Sequence, residues 1–206
     1  MSRELILNMS ISLDGFVAGP NGELDWIFRN SSEESRQWAV ERLGNVGLHA
    51  MGNSSYQTMA DFWPTAASPF TRPLNEIPKA VFSRSGVVSP PSMEKTRAAV
   101  EEGRVDPAVL KGWLHPIVAG KDLVADIERL KAEDGGPINA LGGASFASSL
   151  IAAHLVDVLR LVVHPIALGK GFSIFADLEN PVHLKLEDLK QFDTGIVVKT
   201  YRSPRS

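Results

Sequence analysis

The sequence contains no cysteine among its 206 residues. That absence excludes disulfides, thiolate metal sites and cysteine nucleophiles, and it is typical of a cytoplasmic protein. The five histidines, at positions 49, 115, 154, 164 and 183, show neither H-x-H nor H-x-x-x-H spacing, which are the spacings that place two ligands on one metal. We therefore expect no metal site.

An excess of charge and long apolar runs are missing as well. The net charge of -3 provides no basic surface, so we expect neither nucleic acid nor an anionic membrane as a partner. No segment approaches the roughly 20 apolar residues of a membrane span, and the run Leu5–Leu7 is too short for a signal peptide. The length and the 44% hydrophobic content predict a single globular domain over residues 1–206.

Short apolar segments alternate with helical ones along the chain, which predicts an α/β fold. We expect about eight strands in a mostly parallel sheet covered on both faces, and about four main helices. Segments 183–192 and 196–201 flank the turn Asp193–Gly195 and predict an antiparallel C-terminal hairpin. Ser31 and Glu34 fit a capping box at the start of a helix, and the proline-rich segment 66–78 predicts a loop.

Three junctions combine a strand end with residues that suit a phosphate. In two of them a glycine and small residues open a helix, whose first backbone N–H groups are unpaired and partly positive. The third brings serine and arginine to a strand end. Ordinary turns are the alternative explanation for each. The residues concerned are Gly142, Gly143, Ala144 and Ser145; Gly52, Asn53, Ser54 and Ser55; and Ser83 and Arg84.

Five motifs in chain order resemble the dihydrofolate-reductase-like superfamily: Leu13–Ala18, Met51–Tyr56, Phe82–Arg84, Leu141–Ala144 and Leu155–Leu161. The closest branch is the reductase domain of the bifunctional riboflavin-biosynthesis deaminase/reductase, together with its stand-alone relatives. The resemblance covers nearly the whole chain and implies the three-layer fold of that superfamily. In bifunctional members a zinc deaminase domain that needs cysteine ligands precedes the reductase. This chain resembles at most the reductase half.

The resemblance implies NADPH as the cofactor. Residues 142–145 would line its pyrophosphate, with a cis peptide between the two glycines, and residues 52–55 would add a second contact. Ser83 and Arg84 would meet the 2′-phosphate. Val17, Ala18 and Gly19 would close over the nicotinamide and exclude water.

The substrate side departs from the dihydrofolate reductases, which place a carboxylate on the first helix. That position falls near Ser35 here, so Asp25 and Glu34 are the candidate catalytic residues. We expect a reductase that transfers a hydride to a small heterocycle, resembling 5-amino-6-(5-phosphoribosylamino)uracil reductase. The alternatives are a non-catalytic NADPH-binding or sensor protein and a pterin reductase. Relatives form homodimers, and the apolar segment 161–166 suits a homodimer here.

Overall fold

Strands and helices alternate through the computed structural model, which describes residues 2–176 and 178–203. The strands are β1 (Leu5–Ser12), β2 (Leu48–Gly52), β3 (Lys79–Phe82), β4 (Ile117–Ala119), β5 (Ile138–Ala140), β6 (Val158–His164), β7 (Lys185–Gln191) and β8 (Val197–Arg202). The helices are α1 (Trp26–Arg29), α2 (Glu33–Gly44), α3 (Asn53–Phe62), α4 (Thr71–Glu76), α5 (Glu94–Glu101), α6 (Pro107–Leu114), α7 (Leu123–Ala132) and α8 (Ala144–Ala152), and a 3-10 turn covers Trp63–Thr65. The strands belong to a mixed sheet, mostly parallel with an antiparallel C-terminal pair, which confirms the predicted α/β class.

Contacts divide the chain into two compact units, and each is described by itself. The first comprises Val40–Asn139 and the described residues up to Arg3. In it, β2, β3 and β4 pair in parallel in the order β4-β3-β2. All four residues of β3 are buried, as expected for a parallel strand covered on both faces. The sequence predicts an amphipathic helix over 122–132, with Leu123, Ile127 and Leu130 on one face and Lys121 outside. α7 confirms it: Asp122 caps the helix through the Ala125 N–H, and Ile127 and Leu130 are buried.

The second unit comprises Glu4–Ala39 and the described residues from Ala140 onward. Its described strands run in the order β1-β6-β8-β7, with β1 and β6 parallel and β6, β8 and β7 antiparallel. Alternate residues of β1 are buried, from Leu5 to Ile11, because successive side chains of a strand point to opposite faces. Residues 161–163, where the homodimer was expected, are half-buried on β6, and the homodimer stays a prediction.

Two local predictions need correction. The capping box lies one residue later than expected: Ser32 Oγ accepts from the Ser35 N–H at 3.1 Å, and Ser35 Oγ accepts from the Ser32 N–H at 2.9 Å. The predicted loop 66–78 contains α4, whose Pro73 lies in the interior of a short helix. The expected four main helices are α2, α3, α7 and α8, and four shorter helices of one or two turns accompany them in the described chain. None of the described helices is long and apolar enough to cross a membrane.

Two buried basic side chains bind the last turn of α4 in the first unit. Lys79 Nζ donates to the Asn75 carbonyl at 2.8 Å and lies 4.6 Å from the centre of the Trp113 ring. A ring nitrogen of His49 lies 3.3 Å from the Pro73 carbonyl. The carbonyls in the last turn of a helix carry partial negative charge and can accept further hydrogen bonds, so these side chains complete the helix end; the Pro73 carbonyl also accepts from the Ile77 N–H. Burial lowers the pKa of Lys79 to about 8 and that of His49 to about 4.

We expect the free energy of unfolding to rise by about 1–3 kcal/mol between pH 8 and pH 10. In that window the unfolded chain still binds the Lys79 proton, whereas the folded chain has released it, so stability increases with pH. Above pH 10 the trend reverses, because burial raises the pKa of Tyr56 to about 12. Urea unfolding at several pH values measures this. Lys79→Met should remove most of this rise in the free energy of unfolding, whereas Lys95→Met, on the exposed side of α5, should retain it. A rise that persists in Lys79→Met contradicts the assignment to Lys79.

Candidate functional site

In the first unit, β2 ends at an open helix N-terminus. Gly52 precedes α3 in an extended conformation, and no side chain caps the helix. Ser54 is exposed, while Asn53 and Ser55 are half-buried. The helix start predicted at this junction is confirmed, and no side-chain cap occupies the first N–H groups of this ten-residue helix; a contact with an anion stays a prediction.

Two loops follow β3 and β4 in the same unit, and they touch. The Ser83 N–H donates to the Ala119 carbonyl at 2.9 Å, and a Cβ added to Gly120 would lie 2.8 Å from Ser83 N. Gly120 has φ +101, so only glycine suits this approach. The Gly120 N–H is fixed by Asp126 Oδ2 at 2.7 Å. The end of β3 is thereby held against the end of β4.

Arg84 and Lys121 are exposed on these loops, and neither has an acidic partner among the residues that the structure describes. Ser83 Oγ lies 3.0 Å from Ser85 Oγ, which adds two hydroxyls beside the cations. Guanidinium, ammonium and hydroxyl groups are the usual ligands of a phosphate. We call Ser83, Arg84, Ser85 and Lys121 the cationic corner.

Sequence reasoning placed Lys121 on the outer side of the following helix and so missed it. The signal was present, because Gly120–Lys121 follows a strand just as Ser83–Arg84 does. A basic residue at the carboxyl end of a parallel strand lies where open α/β sheets bind ligands.

In the second unit, Gly142 and Gly143 precede α8 with φ +61 and +79. These left-handed angles explain why both positions are glycine. No side chain caps the helix, Ala144 is half-buried and Ser145 is exposed. The described residues contain no cis peptide bond, so the cis peptide implied by the resemblance is wrong for this structure, and the two positive φ angles make the turn instead.

The loop after β1 is fastened to residues 166–172 of the same unit. Ala18 and Phe172 form an antiparallel bridge, and the Val17 N–H donates to the Phe172 carbonyl at 2.8 Å. Val17 and Gly19 are buried and Ala18 is half-buried. A Cβ added to Gly171 would lie 2.1 Å from the Ala18 carbonyl oxygen, so the backbones meet without room for a side chain.

Asp14 is the second fastening of this loop. Its carboxylate accepts from the N–H groups of Leu168 at 3.0 Å and Gly169 at 2.6 Å, and from Ser12 Oγ at 2.7 Å. The Ser12 hydroxyl and these two backbone N–H groups lower the pKa of Asp14 to about 2. Asp14 thus holds the loop rather than merely ending a strand.

Asp14→Ala should lower the protection factors of the Leu168 and Gly169 amides against hydrogen exchange about tenfold. In the wild-type chain the same loss should appear as the pH falls from about 4 to about 2, because the folded carboxyl keeps its charge below the unfolded pKa and then loses it. Asp193→Ala, in the exposed hairpin turn, is the control. Protection that is unchanged in Asp14→Ala would show that the bridge alone holds the loop.

The two candidate catalytic carboxylates lie at the surface in ion pairs. Asp25 contacts Arg29 one turn along α1, and Glu34 accepts from Lys190 on β7 at 2.9 Å. Both side chains are more than half exposed. Their catalytic roles stay predictions, and the structure gives each of them a second explanation as a surface ion pair.

A polar pair, the half-buried Ser10 and the buried His164, lies at the carboxyl ends of β1 and β6 and was also missed from sequence. His164 Nε2 lies 3.3 Å from Ser10 Oγ, and the imidazole packs edge-on against Trp26 with ring centres 5.3 Å apart. Because His164 was counted only for metal spacing and the serine lies within an apolar strand, neither stood out. No group of three histidine, aspartate or glutamate side chains in the described chain is arranged to hold a metal ion.

Comparison with known proteins gives a consistent result. The family model described as RibD C-terminal domain matches residues 3–198. YyaP of Bacillus subtilis strain 168, an uncharacterized protein, is 27% identical over 199 residues, which cover 97% of this chain and 94% of YyaP.

Two solved structures have the same fold. One, from Shewanella sp. PV-4, is provisionally assigned to riboflavin biosynthesis; it has a TM-score of 0.69, 20% identity and full coverage of both chains. The other is a diaminohydroxyphosphoribosylaminopyrimidine deaminase/5-amino-6-(5-phosphoribosylamino)uracil reductase from Thermotoga maritima, with a TM-score of 0.68 and 16% identity. The match covers 98% of this chain and 57% of that protein.

Proposed function

The chain belongs to the RibD C-terminal domain family, and from that premise we propose that it is an NADPH-dependent reductase of a small heterocyclic substrate. The family is reductase-like, which supports an oxidoreductase in general. The cofactor and the substrate are the specific parts of the proposal. The resemblance to 5-amino-6-(5-phosphoribosylamino)uracil reductases makes a phosphoribosylaminopyrimidine the first substrate to test.

The cationic corner is the observation that carries the cofactor proposal. NADPH differs from NADH by one phosphate on the adenosine ribose, so a preference for NADPH requires cations and hydroxyls that meet this group. Arg84 and Lys121 have no acidic partner in the described chain, and the hydroxyls of Ser83 and Ser85 lie beside them. Clustering of solvated cations adds little to the stability of the chain itself. Each of these groups would, however, add to the binding free energy of a phosphate dianion.

The open helix ends are the second support. Gly52–Ser55 in the first unit and Gly142–Ser145 in the second each leave N–H groups without a side-chain cap. Backbone N–H groups at a helix start are favourable partners for a pyrophosphate. We assign the pyrophosphate contacts to these residues, and contacts with the nicotinamide to Val17, Ala18 and Gly19.

When bound, NADPH supplies the hydride. The chain then has to align donor and acceptor and to exclude water. The loop that contains Val17 is suited to this because Asp14 and the Ala18–Phe172 bridge hold its backbone in place. The candidate contributions of Asp25 and Glu34 require that each leaves its ion pair.

The test is NADPH oxidation, followed at 340 nm, with 5-amino-6-(5-phosphoribosylamino)uracil, dihydrofolate and small carbonyl compounds as acceptors. We expect turnover with the pyrimidine, and slower turnover when NADH replaces NADPH. Turnover with dihydrofolate alone would make the chain a pterin reductase. Saturable NADPH binding without turnover on any acceptor would favour a sensor, and the reductase proposal would then be wrong.

A further inference from the structure

Ser10 and His164 form a polar pair where the parallel strands β1 and β6 end. Ser12 lies opposite His164 in the strand register, so Ser10 and His164 lie on the same face of the sheet. Ser10 is half-buried, and His164 is only 2% exposed. Ligands of open α/β sheets bind at the carboxyl ends of the strands, which places this pair at the ligand-binding end of the second unit.

The imidazole of His164 has a single hydrogen-bond partner in the described chain. Nε2 lies 3.3 Å from Ser10 Oγ, whereas Nδ1 is buried and has no partner among the described residues. Trp26 covers the ring edge-on and is itself fixed by a 3.1 Å bond from its Nε1 to the Glu23 carbonyl. Burial lowers the pKa of His164 to about 4, so the ring is neutral at pH 7.

A neutral imidazole carries one proton, and its position decides what the serine can do. A proton on Nδ1 would leave a buried N–H without an acceptor, a group that folded proteins rarely tolerate. A proton on Nε2 leaves only a lone pair unused at Nδ1 and gives Ser10 Oγ a donor. We assign the proton to Nε2. Ser10 Oγ then accepts from His164, and its own hydrogen points elsewhere.

We propose that the Ser10 hydroxyl donates a hydrogen bond to the oxygen or nitrogen atom of the C=O or C=N bond that is reduced. His164 is then the residue that positions this hydroxyl. This inference rests on the proposed function. As the hydride adds to carbon, the electron pair of the double bond moves to the heteroatom, which takes a proton from water. A neutral hydroxyl beside that atom stabilises the growing charge and keeps its own proton.

The pair also fits the state of three carboxylates in the described part of this unit, each of which already has a partner. Asp25 and Glu34 are occupied by Arg29 and Lys190, and Asp14 is occupied by backbone N–H groups. Ser10 can polarise an acceptor without being ionised. We therefore expect its contribution to show little dependence on pH between 6 and 8, unlike that of a carboxylic acid whose pKa is raised toward neutrality.

The tautomer of His164 tests the inference without any turnover. In the full chain labelled with 15N-histidine and loaded with NADPH, His164→Gln identifies the resonance by its loss. We expect the proton on Nε2, and Ser10→Ala should shift that nitrogen's signal without moving the proton to Nδ1. A wild-type proton on Nδ1 would make Ser10 the donor to His164 and overturn the inference.

Kinetics with NADPH and 5-amino-6-(5-phosphoribosylamino)uracil give the second measurement. Ser10→Ala should lower kcat about 100-fold, leave the Kd of NADPH within about twofold, and keep the shape of the pH profile. Ser10→Thr retains the hydroxyl and should restore most of the rate. Weaker NADPH binding with unchanged kcat would assign the hydroxyl to the cofactor and overturn the inference. If the wild-type chain reduces no acceptor, the proposed function fails, and the tautomer measurement still decides the assignment of Ser10.

Discussion

Replacing Arg84 and Lys121 together with alanine is expected to raise the Kd of NADPH at least about 100-fold and to leave the Kd of NADH within about twofold. Each charge-assisted hydrogen bond to a phosphate is worth about 1.5–3 kcal/mol, so the loss of two amounts to about 3–6 kcal/mol. NADH lacks this phosphate and cannot lose these bonds. Isothermal calorimetry with both cofactors measures the two effects in one series.

The matched control is the double variant of Lys95 and Arg97 to alanine. These two substitutions remove the same charges, one lysine and one arginine, from the exposed side of α5 in the same unit. Their loss should change both dissociation constants by less than threefold. Added salt, which screens long-range charge, should remove this change. An equal weakening in the two double variants would mean that net charge, rather than the cationic corner, determines affinity. The single variant Lys121→Ala tests the residue that the sequence prediction omitted.

Gly171→Ala should lower turnover about 100-fold, because a displacement of about 1 Å in a positioning loop has an effect of that size. The added Cβ would lie 2.1 Å from the Ala18 carbonyl oxygen and 3.2 Å from Phe16 Cβ. The first contact is with backbone, which cannot rotate away as a long side chain can. Relief therefore requires the Ala18–Phe172 bridge to open and the loop to move.

The same substitution should lower the free energy of unfolding by about 1–3 kcal/mol, the usual cost of overpacking. Gly44→Ala is the control, because no atom lies within 4 Å of its added Cβ and its φ is not left-handed. It should leave turnover unchanged and stabilise the end of α2 slightly. If Gly171→Ala loses stability but retains turnover, the loop does not position the reactants.

Regular elements with caps or strong alternation could be predicted from sequence. α7 followed from its amphipathic repeat, and the C-terminal hairpin followed from alternation around Asp193–Gly195. α4 was missed because its six residues include Pro73 and provide barely one period. The capping box was predicted one residue too early because Glu34 is a usual reciprocal partner in this motif. In the structure Ser35 has that role.

The candidate site likewise contains residues that could be predicted from sequence and residues that could not. The Gly142–Gly143 junction is visible in sequence because few residues other than glycine adopt its positive φ angles. The Gly52 junction, whose glycine is extended, is visible only as a glycine and small polar residues after an apolar run. Recognition of Lys121 and of the Ser10–His164 pair as site residues requires knowing which strands are neighbours in the sheet. Local sequence patterns do not contain that information. The contacts of Asp14 could not be predicted from local sequence, because its partners, Leu168 and Gly169, lie more than 150 positions away in the chain.

Binding of NADPH is the central claim, and calorimetric titration of the purified chain with NADPH and NADH tests it most directly. We expect saturable binding of NADPH with a dissociation constant of about 1–10 µM, equivalent to roughly 7–8 kcal/mol, and binding of NADH at least about 100-fold weaker. Equal affinity for the two cofactors would contradict the role of the cationic corner. The absence of saturable binding of either cofactor would contradict the account as a whole.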